Sequence, residues 1–246
     1  GEWYHYTGEI KRIADNTWIE DTDKLRPVVV SQSPATKGML ELVGTNYRVI
    51  EIDLAFPVLH GKNGEDGTLQ GLFELAGIPV IGCNTLSSAL CMDKDRSHKL
   101  VNLAGISVPK SVTFNAYNAK SALQEIDATL TYPLFVKPVR AGSSFGITKV
   151  MEKQELDAAI AMAFEHDTEV IVEETINGFE VGCAVLGIDE LTVGRVDEIE
   201  LSNGFFDYTE KYTLKSSKIY MPARIDAETE KRIQKAAVTI YKALGC

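Results

Sequence analysis

Residues 134–146 read LFVKPVRAGSSFG, and the rest of the chain is legible outward from them. Leu134, Phe135 and Val136 form a short apolar run of β character, and Lys137 stands at its end. Pro138 is expected to stop further ladder bonding. Arg140 and the small residues Ala141, Gly142, Ser143 and Ser144 follow, closed by Gly146. A buried strand that delivers a lysine and then a Gly/Ser loop suits a polyphosphate. The ammonium supplies a point charge, the loop supplies backbone N–H groups, and small side chains let an anion approach closely. The same residues also fit a plain strand, a surface lysine and an ordinary connection, and this stretch alone does not choose between them.

On either side the pattern is mixed α and β. Residues 132–136 make a strand, and Thr148, Lys149 and Val150 pair with it as a hairpin across the Gly/Ser loop. Residues 153–164 carry Leu156, Ile160, Met162 and Phe164 at helical spacing. Residues 170–174 form a strand ending in two acids, Glu173 and Glu174, and Glu180 precedes a further strand at 181–187. Upstream, residues 87–103 read as one helix bearing Lys94, broken by 105–109 and followed by a strand at 112–114 and a short helix at 121–126. Downstream come a strand at 193–201, the aromatic and charged segment NGFFDYTEKY (203–212) without a clean period, an extended stretch at 219–223, and a last helix capped by Asp226 and closed by Gly245.

The first part of the chain predicts a parallel sheet. Residues 2–20 alternate aromatic and polar groups and read as short strands or a hairpin. Val28 to Val30, 39–43 and 47–50 are strands, the last two joined by a turn at 44–46. Residues 53–59, DLAFPVL, are apolar on both faces, as in a central strand of an α/β sheet. The loop HGKNGEDG (60–67) follows at the carboxyl end of that strand, where open α/β sheets place ligands. Thr68 then caps a helix bearing Leu69, Leu72, Phe73, Leu75 and Ala76, Gly77 closes it, and 79–82 is the next strand. Strand, helix and strand make a βαβ unit.

Bulk properties narrow the function. The 246 residues are 45% hydrophobic and 24% charged, ordinary for a globular chain, and the net charge of −10 argues against a general nucleic-acid or anionic-membrane binder. A few local lysines still suffice for one nucleotide. The four cysteines, Cys83, Cys91, Cys183 and Cys246, have neither C-x-x-C nor metal-ligand spacing and read as thiols of a reducing compartment, a cytoplasmic setting. Neither a membrane-length apolar run nor a signal peptide is evident. Walker and G-x-G-x-x-G motifs are absent, so a nucleotide site here must be assembled from strand-end lysines, strand-end acids and a Gly/Ser loop. Taken singly, Lys94, Glu173, Glu174 and Glu180 are each as well explained as solvated charges at element ends.

Several long motifs taken together carry a resemblance: FPVLHGKNGEDGTLQG (56–71), MDKDRSHKLVNLAGISVP (92–109), FVKPVRAGSSFGITKV (135–150), VEETINGFEVGCAVLG (172–187) and FFDYTEKY (205–212). In this order and spacing the chain resembles the D-alanine–D-alanine ligases of the ATP-grasp class. The segment SALCMDKDRSHKLVNLAGISVPKSVTF is most similar to the glycopeptide-resistance branch that makes D-alanine–D-serine. The resemblance implies an α/β fold with an α+β central part. It comprises an incomplete parallel-sheet N-domain (1–81), a central ATP-grasp subdomain (82–176) and the start of a C-terminal subdomain (177–246).

The resemblance also implies roles. Lys94 and Lys137 would hold ATP phosphates, and Glu173, Glu174, Ile176, Glu180 and Phe205 the nucleotide. Ser143 and Ser144 would lie in the loop closing over the γ-phosphate, His60 and Glu65 near the first amino acid, and Lys211 and Tyr212 in a lid from which they would reach the phosphate and the second substrate, with Ser143, Lys211 and Tyr212 as the catalytic residues. ATP and Mg²⁺ (or Mn²⁺) would be used. ATP phosphorylates the carboxylate of one D-alanine, and the amine of D-alanine or D-serine attacks the acyl phosphate. A closing loop protects that intermediate from water. A homodimer is implied, for peptidoglycan precursor synthesis.

Three departures bear on this expectation. The family's first glycine-rich strand-loop has no counterpart at the start, and its Asp, Glu and Asn metal ligands are expected beyond Cys246. The chain therefore reads as truncated at both ends and inactive alone. Phe206 stands where many members carry Tyr. Another ATP-grasp carboxylate–amine ligase and a non-catalytic nucleotide-binding module are the alternatives.

Overall fold

The computed structural model describes residues 2–201 and 217–246, which fall into two compact units. One comprises residues 1–58 and 67–85, the other residues 59–66 and 86–246.

The first unit is built on a four-stranded antiparallel meander of β1 (Trp3–Tyr6), β2 (Leu25–Val30), β3 (Gly38–Val43) and β4 (Asn46–Glu51). A tight turn through Gly44, at φ 58°, links β3 to β4, a backbone angle that glycine adopts without steric cost. The aromatic alternation at the start is not a local hairpin. β1 pairs across to β2, and a short helix α1 (Ile10–Ala14) lies between them. Tyr4 and Tyr6 meet the edge of Trp18 at 6.3 and 6.1 Å, so these rings are used in packing. Buried Glu41 is satisfied by His5 at 2.7 Å and Arg48 at 3.0 Å.

Helix α2 (Thr68–Leu75) buries Leu69 and Phe73 with Ala76 and Ile78, against Val30, Ile52, Ala55 and Val80. Gly67, at φ 89°, takes the N-cap position expected of Thr68, which is instead the first helical residue. The expected parallel pairing of 53–59 with 79–82 is present as one bridge, Ala55 to Val80. Pro57 lacks an N–H donor, and Leu54, Phe56 and Val58 are exposed, so among the described residues this apolar run gains neither a longer ladder nor a cover.

The second unit holds the antiparallel sheet β5-β8-β6-β7, formed by β5 (Ser111–Asn115), β6 (Leu134–Pro138), β7 (Thr148–Val150) and β8 (Glu169–Glu174). Alternation sends Leu134, Val136, Val150, Val170 and Val172 to one face. There they pack on Ala122 and Ile126 of α5 (Ala119–Thr129) and on Leu156, Ala159, Ile160 and Ala163 of α6 (Leu156–Phe164). The opposite face carries Phe135 and Lys137 from β6 and Ile171 and Glu173 from β8. Pro138 does not end the strand. Pairing with β7 stops at Val136 while β8 continues opposite Pro138, so the proline ends one ladder and not both.

The helix expected over 87–103 is two helices, α3 (Thr85–Met92) and α4 (Lys94–Leu103). Asp93 breaks the run because its buried carboxylate accepts the Arg96 N–H at 2.9 Å and caps α4. A second antiparallel sheet, β9 (Glu180–Leu186), β10 (Thr192–Leu201) and β11 (Ser217–Tyr220), packs on α7 (Ala227–Leu244), which Asp226 caps and Gly245 closes at φ 71°.

Candidate active site

A cleft of about 700 Å³ opens on the polar face of β6 and β8. Its lining brings together five residues singled out from sequence: Lys137, Glu173, Glu174, Ile176 and Glu180. Register explains the grouping. Phe135 lies opposite both Glu173 on β8 and Lys149 on β7, and Lys137 follows Phe135 on the same face. The two ammonium groups sit 5.5 Å (Lys137) and 5.8 Å (Lys149) from the Phe135 ring centroid.

Glu173 is only 2% exposed, and one of its oxygens pairs with the Lys137 ammonium. Its other oxygen, Oε1, has no hydrogen-bond partner among the described residues and faces His98 Nδ1 at 3.6 Å. Glu174 accepts from the Lys110 backbone N–H at 2.8 Å, and Thr175 Oγ1 donates to the Pro133 carbonyl at 2.7 Å. These bonds fix the strand exit, where Ile176 and Phe179 present exposed apolar surface to the cleft. A floor of cations, a buried acid and apolar side walls matches a ligand with a planar apolar part and an anionic part.

Three further lining residues were not singled out from sequence. Glu198, 4% exposed, accepts from Arg224 N at 2.9 Å and from its guanidinium. Glu200 accepts from Arg224 at 3.0 Å and from Tyr220 Oη at 2.9 Å, and the guanidinium stacks 3.9 Å above the Tyr220 ring. Hydrogen bonds from Arg224 hold both carboxyls below the usual carboxylate range, and the same pairs push Arg224 up. The signal was present as Glu198 and Glu200 on one face of β10, but their partner lies 24 residues beyond Glu200 in sequence.

Lys94 opens α4. Its Nζ donates to the carbonyls of Ala141 at 2.9 Å and Val139 at 3.3 Å, which pins the start of the Gly/Ser loop. Burial, and then the charge of Lys137, lower its pKa to about 8, against the opposing pull of Glu173, Asp167 and Asp93. Ser143 and Ser144 sit in that loop at φ 50° and 61°, a left-handed region that non-glycine residues seldom occupy.

Glu65 accepts from Gly61 N at 2.5 Å and so closes the turn of its own loop. That loop touches the Gly/Ser loop so closely that a Cβ on Gly142 would lie 2.8 Å from Gly61 Cα. His60 shares the 59–66 loop and is exposed. Phe205, Lys211 and Tyr212, with the 203–212 segment, lie outside the described residues. A second cavity of about 550 Å³, lined by Lys62, Asp66, Arg140 and His166, contains none of the residues singled out as a site. Arg140 there is bound to Asp167 and Glu169, both at 2.7 Å.

The chain's sequence matches two family profiles, "D-ala D-ala ligase N-terminus" over residues 1–83 and "D-ala D-ala ligase C-terminus" over residues 100–246. The chain belongs to the D-alanine–D-alanine ligase family. It is 47% identical over 225 residues to the Vancomycin B-type resistance protein VanB of Enterococcus faecalis, covering 89% of this chain and 64% of VanB. It is 42% identical over 250 residues to the D-alanine–D-alanine ligase of Caldicellulosiruptor bescii, covering 100% of this chain and 68% of that protein. Among solved structures, the VanG D-Ala:D-Ser ligase from Enterococcus faecalis superposes with a TM-score of 0.91 at 81% identity, covering 100% of this chain and 71% of that one. This member of the D-alanine–D-alanine ligase family thus spans about two thirds of the length of its relatives. The mixed α/β architecture is that of the family's ATP-grasp structures.

The cleft fits ATP on its own terms: cations at its floor, and a buried acid with an oxygen still to be bonded. The fit does not extend to the metal. Among the described residues no group of three or more His, Cys, Asp or Glu side chains could hold an ion, so no step is assigned to Mg²⁺.

Proposed function

We propose that this chain provides the nucleotide-binding part of an ATP-dependent ligase that joins D-alanine to D-serine, or to a second D-alanine, through an acyl phosphate. The 81% identity to VanG D-Ala:D-Ser ligase carries the choice of D-serine. The cleft supports the use of ATP.

Within this reading Lys137 and Lys94 bear on the phosphates. Phe135, Ile176 and Phe179 flank the base, Glu180 takes the ribose hydroxyls, and Glu173 and Glu174 fix the strand end beneath the base. ATP supplies the phosphoryl group that turns a carboxylate into an acyl donor. The charge gathering on that group is offset by the two lysines. The Gly/Ser loop, with Ser143 and Ser144 held in a rarely populated conformation, is suited to close over the phosphate and exclude water. His60 and Glu65 belong to the amino-acid side, with Glu65 acting by shaping its loop. Lys211, Tyr212 and Phe205 complete the proposal as lid and nucleotide contacts.

The proposal extends to a cytoplasmic homodimer serving peptidoglycan precursor synthesis and glycopeptide resistance, with subdomain boundaries near 81 and 176. None of the described helices is long and apolar enough to cross a membrane. Product analysis of the full-length protein, offered D-alanine and D-serine with ATP and Mg²⁺, tests the reading. The mixed dipeptide D-alanyl-D-serine with ADP is expected. ATP binding without any dipeptide would instead favour a nucleotide-binding module.

A further inference from the structure

The cleft contains an unfinished contact. Glu173 is fully enclosed, with one oxygen on Lys137 and the other, Oε1, unbonded among the described residues. Facing Oε1 at 3.6 Å is His98 Nδ1, also buried and unbonded. His98 sits one turn beyond Lys94 on α4, so the two project from the same helix face. Charged groups close to the pair among the described residues include Lys94 and, three residues before His98 on α4, Asp95, with Lys137 from β6. Asp95 is taken by Lys99 at 2.7 Å and Lys94 by two backbone carbonyls. Among the described residues, His98 Nδ1 is the ring nitrogen that faces Oε1, and in its Nδ1–H tautomer it can donate to it.

An enclosed carboxylate is tolerated only while it is paired. Without nucleotide, Lys137 meets that need. A phosphate in the cleft competes for the same ammonium, and whatever Lys137 gives to the phosphate it withdraws from Glu173. A shift of roughly 1 Å brings His98 Nδ1–H to hydrogen-bond distance of Oε1.

We propose that His98 is a positioning residue that takes over the Glu173 carboxylate when Lys137 turns its ammonium to a nucleotide phosphate. The proposal rests on the nucleotide reading of the cleft. His98 touches no substrate. It acts through Glu173, by removing the penalty that phosphate binding would otherwise impose on a buried acid.

The test compares ATP with adenosine, which lacks phosphate and does not draw on Lys137. Dissociation constants for both are measured by titration on the chain and on His98→Ala, His98→Gln and His98→Lys. His98→Ala is expected to weaken ATP about tenfold, the value of one charge-assisted hydrogen bond, and to leave adenosine within about twofold. His98→Gln or His98→Lys, each again a donor, restores ATP to within about threefold of the unaltered chain. The ligand-free melting temperature of His98→Ala stays close to that of the unaltered chain, because Lys137 holds Glu173 there. Unchanged ATP affinity in His98→Ala overturns the proposal, as does equal weakening of both ligands or failure of both donor variants to restore binding. If the unaltered chain binds neither ligand, the nucleotide reading fails and the proposal falls with it.

Discussion

The Lys137 ammonium pairs with the Glu173 carboxylate across β6 and β8, and the acid of the pair is 2% exposed. An enclosed acid depends on its partner far more than a surface acid does. Lys137→Met is therefore expected to destabilise the second unit by about 3 kcal/mol, because it strands a buried charge. Adding Glu173→Gln to that variant is expected to return much of the loss, since the amide is neutral. Urea unfolding of the single and double variants measures this. A double variant less stable than Lys137→Met would show that Glu173 is not stranded when Lys137 is removed.

Lys94 makes the site sensitive to alkali. Burial and then the Lys137 charge lower its pKa from 10.5 to about 8. Between those values the unfolded chain binds more protons than the folded one, so the Lys94 contribution to stability rises with pH through that window. Phosphate binding has the opposite sign, since it favours the charged ammonium. ATP affinity is expected to fall as pH rises through 8, and binding near pH 8 takes up protons. Calorimetry in buffers of different ionisation enthalpy reads the uptake directly. Affinity flat from about pH 7 to 9.5 would show that Lys94 does not meet the phosphate.

Gly142 and Gly61 let two loops touch backbone to backbone. Because a Cβ on Gly142 would stand 2.8 Å from Gly61 Cα, the two loops cannot both keep their places in Gly142→Ala. A loss of about 1–3 kcal/mol is expected, as for other overpacked sites, together with faster proteolysis near the Gly/Ser loop. A neutral Gly142→Ala, by thermal unfolding and limited trypsin digestion, would mean that the loops are not held together.

Asp93 sets the direction of Lys94. Its carboxylate caps α4, and the Lys94 N–H donates to the Val139 carbonyl at 3.2 Å. Asp93→Ala is expected to cost about 1 kcal/mol of stability, the usual value of an N-cap, and to weaken ATP binding. Asp93→Asn, still a good cap, retains most of both. Equal damage from the two substitutions would point to the charge of Asp93 and not to its cap.

The sequence carried the site better than it carried the first unit. Lys137, Glu173 and Glu174 stand beside apolar runs, and the period of two placed Lys137 and Glu173 on the face opposite Val136 and Val172. Asp226 and Gly245 marked α7 because capping is a local signal. The break at Asp93 was hidden in a run whose helical spacing continues through it, and only the bond to Arg96 N reveals the cap. The run 53–59 has the composition of a central strand, yet among the described residues its strand pairing is the one bridge from Ala55 to Val80. A strand is made by its neighbours, and composition does not count them. His98, Glu198 and Arg224 escaped notice for a related reason. Each is defined by a partner distant in sequence, and no periodicity announces such a pair.

The central claim is that the cleft over Lys137 and Glu173 holds ATP. Equilibrium titration of ATP on the chain and on Lys137→Met tests it most directly, with circular dichroism to confirm that both are folded. Saturable binding is expected, weakened at least about tenfold in Lys137→Met by loss of a charged phosphate contact. Equal affinity in the two folded proteins, or no saturable binding to the unaltered chain, would contradict the account.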